Sequence, residues 1–136
     1  MQHSCLECLE MRIMFNVVLA SGPRIDVTGK RHAIAYATDG SLPNPLEATY
    51  AAMAGCAGVY AKKACKELGI DDTGIAISLK VVGRPEKPLL PGRMVTAVEF
   101  PARIGPEQRA AILASIEQCA VKALIQHGAE IEFSVC

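Results

Sequence analysis

Aromatic residues are scarce, at 4% of a chain of 136 residues. A core without them must be built from Ala, Val, Ile and Leu. Alanine packing brings backbones close but buries little apolar area per residue. The monomer is therefore expected to be completed by a partner chain. Neither sign of charge is in excess: the formal net charge is +0, and no basic block stands out. Nucleic-acid and anionic-membrane roles lack support. No apolar run approaches the ~18–20 residues needed to span a bilayer. The first ten residues show neither a basic n-region nor an apolar h-region, which argues against a secretory signal. The glycines match no phosphate-binding fingerprint, so nucleotide use is unsupported.

What is present is thiol. The chain carries 6 cysteines. Their setting is a normal core composition with helical periodicity, not a small secreted framework. A cytoplasmic location with reduced thiols at rest is expected. The length fits one domain, expected over residues 11–136 behind a flexible leader at 1–10.

Residues 12–19 are rich in β-formers and predict a strand. Residues 24–28 and 31–37 alternate apolar and polar, as half-buried strands do. Asn44 then stands as a helix N-cap, with Pro45 in the first turn and Glu47 complementing the dipole. The helix is expected to run over 45–68 and stop at Gly69, a span of roughly 36 Å. From Leu46 to Ala61 its only acid or base is Glu47. A helix apolar on nearly every side predicts a buried central helix. A strand is expected over 75–82, and a proline-containing loop or edge irregularity over 83–92. Another strand is expected over 93–104. A helix begins at Gly105-Pro106-Glu107 and carries Ile112, Ile116, Cys119 and Ala123 on one face, with room for a break near Gln118. Gly128 ends it, and 130–135 alternates as a closing strand. The order βββ-α-ββ-α(α)-β groups strands and helices, which places the chain in the α+β class.

Cys56 lies inside the small-residue run Ala51-Ala52-Met53-Ala54-Gly55-Cys56. A buried cysteine is usually a small hydrophobe. A reactive one needs its thiolate, and a thiolate in an apolar helix needs a nearby cation or donor. The sequence neighbours are expected to offer none, so Arg24 or Arg31, from the early strands, are the candidate cations. Either also reads as a solvated strand residue. Glu47 is a helix N-terminal acid that could orient such an arginine. Nine residues of ideal helix rotate by about 180°, however, which sets it opposite Cys56. Cys119 has the same two readings as Cys56, and spacing alone does not say whether their sulfurs meet. Cys65 shares a rigid helix with Cys56 at about 13 Å and cannot bond to it. His3, Cys5 and Cys8 form one short cluster, a weak zinc signal without a second pair. His32 and His127 read as surface residues.

Asn44-Pro45-Leu46-Glu47, the run from Ala51 to Cys56, Glu117-Gln118-Cys119-Ala120-Val121-Lys122-Ala123-Leu124 and the closing Glu130-Ile131-Glu132-Phe133-Ser134-Val135 together resemble the OsmC/Ohr family of thiol-dependent peroxidases. The resemblance covers residues 11–136. It implies an OsmC-like fold assembled as an intertwined homodimer with sites at the interface. It implies Cys56 as the peroxidatic thiolate, becoming a sulfenic acid, and Cys119 as the resolving thiol. Organic hydroperoxides, with hydrogen peroxide beside them, would be substrates in an apolar pocket. An external dithiol of lipoyl type would be the reductant, with no bound cofactor or metal. The chain departs from the dedicated organic hydroperoxide branch by carrying Leu46 directly after Pro45, with Glu47 one place later; it stands closer to the OsmC-like branch. The alternatives are a non-catalytic redox sensor or small-molecule binder on the same fold, and a zinc-binding module at His3, Cys5 and Cys8.

Overall fold

The structure is a computed structural model that describes residues 15–135. The expected leader and its His3, Cys5 and Cys8 cluster lie outside the described residues. So does most of the first half of the strand expected over 12–19. The chain divides into two compact units. One contains residues up to Ala48 together with 130–135, and the other is Thr49–Ala129.

The first unit holds a three-stranded antiparallel sheet: β1 (Phe15–Val17), β2 (Arg24–Gly29) and β3 (Ala33–Ala37), in the order β1-β2-β3. β2 is central and pairs Val17 with Val27 on one side and Val27 with Ile34 on the other. Gly29 ends β2 where a Cβ would lie 2.8 Å from the Phe15 ring and 3.0 Å from the His32 carbonyl oxygen. A side chain there would displace the Phe15 ring and crowd that carbonyl. The long helix α1 (Pro45–Leu68) starts as its local signals dictate. The Asn44 Oδ1 accepts the Glu47 N–H at 2.9 Å, satisfying one of the orphan donors of the first turn. The closing strand expected over 130–135 carries no ladder in the single chain. Its alternation survives as exposed apolar side chains, Ile131, Phe133 and Val135. A strand requires a neighbouring edge to bond, and no described strand supplies one.

The second unit holds most of α1, an antiparallel hairpin of β4 (Ala76–Arg84) and β5 (Lys87–Glu99), and the helices α2 (Pro106–Ile116) and α3 (Ala120–His127). Of the loop or edge irregularity expected over 83–92, the structure has the second: the segment is the irregular far end of this hairpin. Gly83 faces Pro91 and Arg84 faces Lys87, with register shifts on both sides of Gly83. A two-stranded sheet has only edges, so each strand can hold a proline where no N–H is needed, and the shifts absorb the misfit. β5 in turn ends at Glu99, short of the expected 104, and a turn through Pro101 leads into α2.

Helix α1 is not buried all round in the single chain. Only Ala57, Ala61, Ala64 and Cys65 are buried, which is one face at helical spacing. That face packs with Ile104, Ile112 and Ile116, with Ile77 and Val98 of the hairpin against the cluster. Small alanines allow α1 and α2 to approach closely. The Ser115 hydroxyl then donates to the Tyr60 carbonyl at 3.1 Å and ties the two helices together. The opposite face of α1 stays apolar yet exposed, with Val59 at 52%. Helix α1 stops at Gly69, whose φ of 69° suits glycine alone.

Candidate functional site

The site is built where α1 meets the break between α2 and α3. Helix α2 ends with Glu117 N–H donating to the Leu113 carbonyl and Gln118 N–H to Ser115. Cys119 N–H reaches the Ile116 carbonyl at 3.1 Å. Cys119 itself leaves the helical region at φ −54° and ψ 124° and becomes the N-cap of α3. The chain thus turns at Cys119 and starts a second helix whose first N–H groups point back toward α1.

Cys56 sits on α1, half-buried, and Cys119 is buried; both are free thiols. Their side chains lie close enough to interact, and the interaction lowers the Cys56 thiol and raises the Cys119 thiol. Burial alone would push the Cys56 thiol up. The Cys119 thiol, the backbone N–H groups of Val121 and Ala120, and the Lys63 ammonium together outweigh burial and hold it below the ordinary thiol value. The N-terminus of α3 contributes partial positive charge in the same direction. Burial pushes Cys119 up, and the neighbouring Cys56 pushes it further. The N–H groups of Lys122 and Val121 oppose this in part, although Cys119 makes no cap hydrogen bond with its side chain. The two groups titrate as a pair, and the first proton leaves from the Cys56 side. Such a pair can present a nucleophilic thiolate with a second thiol in reach of the same sulfur.

The expectation that sequence neighbours offer Cys56 no cation is corrected here. Lys63 follows seven residues later, almost exactly two turns along one helix face. Its ammonium lies 4.9 Å from the centre of the Tyr60 ring. This i, i+7 spacing is legible in the sequence, just past the apolar run that ends at Ala61. Arg24, Arg31 and Glu47 all belong to the first unit. Arg24 opens β2 and pairs with Asp26 at 2.9 Å, both exposed. Arg31 lies in the turn between β2 and β3, not on a strand. Glu47 has its backbone N–H on Asn44 and its side chain exposed. Cys65 is buried in the core of the second unit. Burial, and then the Asp72 carboxylate, push its thiol up, so it stays protonated.

A cleft of about 510 Å³ lies beside the pair, within the second unit. Met53, Met94, Val98, Leu113 and Ile125 give it apolar walls, and Arg93 and Lys122 also line it. Cys119 borders this cleft; Cys56 does not. Among the described residues no cluster of His, Cys, Asp or Glu could hold a metal ion, and no helix is long and apolar enough to cross a membrane.

Residues 38–134 match the family model described as OsmC-like protein. The fold is similar to that of a crystal structure from Psychrobacter arcticus 273-4, described as an osmotic stress induced and detoxification response protein. The TM-score is 0.66 at 13% identity, over 82% of this chain and 87% of that one. A second solved structure, from structural genomics, gives a TM-score of 0.63 at 16% identity, over 90% of this chain and 95% of that one. At these identities the likeness is one of fold. No curated protein matches the sequence.

Proposed function

This chain belongs to the OsmC-like protein family, and from that premise we propose that it is a thiol-dependent peroxidase acting on organic hydroperoxides in oxidative stress defence. The observation that carries the reading is that two free thiols, Cys56 and Cys119, come from different helices into interaction with each other, with Cys56 held below the ordinary thiol value. The Cys56 thiolate attacks the terminal oxygen of the hydroperoxide. The O–O bond breaks, Cys56 keeps the terminal OH as a sulfenic acid, and the leaving alkoxide takes from solvent the proton that the Cys56 thiol gave up on ionising. The Cys119 sulfur then attacks the Cys56 sulfur, expels water and closes a disulfide. An external dithiol restores both thiols, so the chain needs no bound cofactor.

The assembly in this reading is a homodimer. Its support is the amount of apolar side chain left exposed in the single chain, including Phe15, Val59, Ile131 and Phe133. Arg24 or Arg31, oriented by Glu47, would add a guanidinium to the thiolate in that assembly, beside the Lys63 ammonium. The location is the cytoplasm, where thiols rest reduced.

The test is consumption of cumene hydroperoxide and hydrogen peroxide with dihydrolipoamide as reductant, with free thiols counted. The expected result is rapid turnover of the organic hydroperoxide with loss of the Cys56 and Cys119 thiols. Oxidation no faster than that of a free thiol in solution sinks the enzyme reading and leaves a redox sensor or ligand-binding relative.

A further inference from the structure

We propose that Lys63 is a catalytic general acid: the proton taken up by the leaving oxygen of the hydroperoxide reaches it through the Lys63 ammonium. This role rests on the peroxidase reading and adds a residue for the half of the step that the thiols do not perform.

Cys56, Tyr60 and Lys63 stand at i, i+4 and i+7 on α1, within about 40° of one line along the helix. Helix side chains lean toward the N-terminus, so those of Tyr60 and Lys63 reach back toward Cys56. Tyr60 is half-buried and packs against the core cluster, which makes its ring a fixed platform. The Lys63 ammonium lies over that ring, 4.9 Å from its centre. The adjacent lysine is placed differently. Lys62 is paired with Asp72 at 2.9 Å, whereas among the described residues no carboxylate pairs with Lys63. Lys63 thus keeps its N–H donors unspent, on the side of the helix that it shares with Cys56.

The direction of attack brings the leaving oxygen to this side. Cys119 and the N–H groups of Val121 and Ala120 act on the Cys56 sulfur from the break between α2 and α3. A hydroperoxide therefore approaches the half-buried Cys56 from the open side of α1. Displacement at oxygen is in line, so the breaking O–O bond points away from the sulfur and carries the leaving oxygen outward. The Lys63 ammonium, reaching back over the turn between itself and Cys56, flanks that path.

The leaving oxygen needs such a donor. An alkoxide is a far stronger base than a thiolate, and its expulsion gains from a proton delivered as the O–O bond breaks. Cys56 has no proton left to give once it has ionised. Cys119 stands behind the sulfur and does not face the leaving oxygen.

The steps balance. The Cys56 sulfur bonds to the terminal oxygen as the O–O bond breaks, and the electron pair of that bond goes to the inner oxygen. Lys63 passes a proton to this oxygen, which leaves as an alcohol. Cys56 keeps the terminal OH. The sulfur is oxidised by two electrons and the peroxide reduced by two. The neutral Lys63 amine then regains from solvent the proton that Cys56 released on ionising.

The experiment compares two oxidants with different leaving groups. Cumene hydroperoxide expels an alkoxide; peracetic acid expels a carboxylate, which needs no proton. The reduced full chain is mixed with each and quenched over time with N-ethylmaleimide, and loss of the Cys56 thiol is read by peptide mass. Lys63→Met is expected to slow oxidation by cumene hydroperoxide about a hundredfold, and oxidation by peracetic acid only by the few-fold that the lost charge costs. Lys63→Arg keeps the charge but gives up its proton far less readily. It is expected to match wild type with peracetic acid and to fall well below it with cumene hydroperoxide. Equal losses with both oxidants in Lys63→Met, or a wild-type rate with cumene hydroperoxide in Lys63→Arg, overturn the role of Lys63 and leave the peroxidase reading standing. A wild-type chain that cumene hydroperoxide oxidises no faster than a free thiol sinks the peroxidase reading, and the role of Lys63 with it.

Discussion

Cys119 meets Cys56 closely enough for each thiol to shift the other, although the two residues come from separate elements and nothing in their spacing requires them to meet. The contact divides the work unequally. Cys56 is held below the ordinary thiol value and Cys119 above it, against burial that would raise both. A thiol with a lowered pKa is more fully ionised at neutral pH, and its alkylation slows only as pH falls through that lowered value. Iodoacetamide labelling followed by peptide mass is therefore expected to mark Cys56 first and the buried Cys65 last. The midpoint for Cys56 should lie below that of a free cysteine. Cys119→Ala removes the neighbouring thiol and should move that midpoint up, while Cys119→Ser, which keeps a hydroxyl, should move it less. A midpoint unmoved by Cys119→Ala would show that the contact does not act on the thiolate.

Removal of either sulfur separates the half-reactions. Cys56→Ser is expected to reduce hydroperoxide consumption to background, since a serine hydroxyl is not ionised at neutral pH. Cys119→Ser should complete one turnover and stop, leaving Cys56 as a sulfenic acid that dimedone traps. Full activity in Cys56→Ser would remove Cys56 from the chemistry altogether.

How much of this was legible in the chain depends on the range of the interaction. The start and stop of α1 were legible because Asn44, Pro45 and Gly69 act within one turn of themselves. The break near Gln118 was legible only as an allowance, because the apolar face Ile112, Ile116, Cys119 and Ala123 keeps its helical spacing across the point where α2 ends and α3 begins. The hairpin end was legible as an edge irregularity, because Pro85, Pro88 and Pro91 forbid a central strand, but the sequence does not separate that from a loop. The closing strand was not legible, since alternation at Ile131, Phe133 and Val135 marks a face without naming its neighbour. The contact of Cys56 with Cys119 depends on the close approach of α1 and α2 across Ala57, Ala61 and Ile116, a fact of packing and not of spacing.

That packing has a measurable weight. Ile112 is 0% exposed and lies in the cluster formed by the alanine face of α1. Ile112→Ala should destabilise the fold by about 2–5 kcal/mol, read from urea unfolding, because the rigid alanines cannot close the space left behind. Ala61→Leu errs in the other direction and should cost about 1–3 kcal/mol by forcing the helices apart. If Ala61→Leu is neutral, close helix approach is not what holds the thiols together.

Lys63 gives a test of charge without a change of packing. Its side chain is exposed and stacks on Tyr60 at 4.9 Å. Lys63→Met should raise the Cys56 labelling midpoint and slow alkylation a few-fold at neutral pH, while Lys63→Arg should keep the wild-type behaviour. The wild-type advantage should shrink as salt rises, because an exposed cation is screened over about 10 Å at 0.1 M. A difference between Lys63→Met and wild type that salt does not touch would point to lost packing on Tyr60 instead.

The exposed apolar residues set the last prediction. Phe133 is 94% exposed, and Val59, on the open face of α1, is half-exposed. A folded chain that kept such residues in water would forgo their burial, which is about 1.5–3 kcal/mol for each large side chain fully covered. The homodimer reading puts them against a second copy. Size-exclusion chromatography with light scattering should then find the mass of two chains. Phe133→Glu and Val59→Glu should each shift the population to the mass of one chain, because a buried unpaired carboxylate opposes assembly. If the wild-type chain has the mass of one at micromolar concentration, the arginine candidates lose the assembly that would bring them to Cys56. Lys63 and the N-terminus of α3 would then be the only positive groups left to hold its thiolate among those that act on it within its own unit.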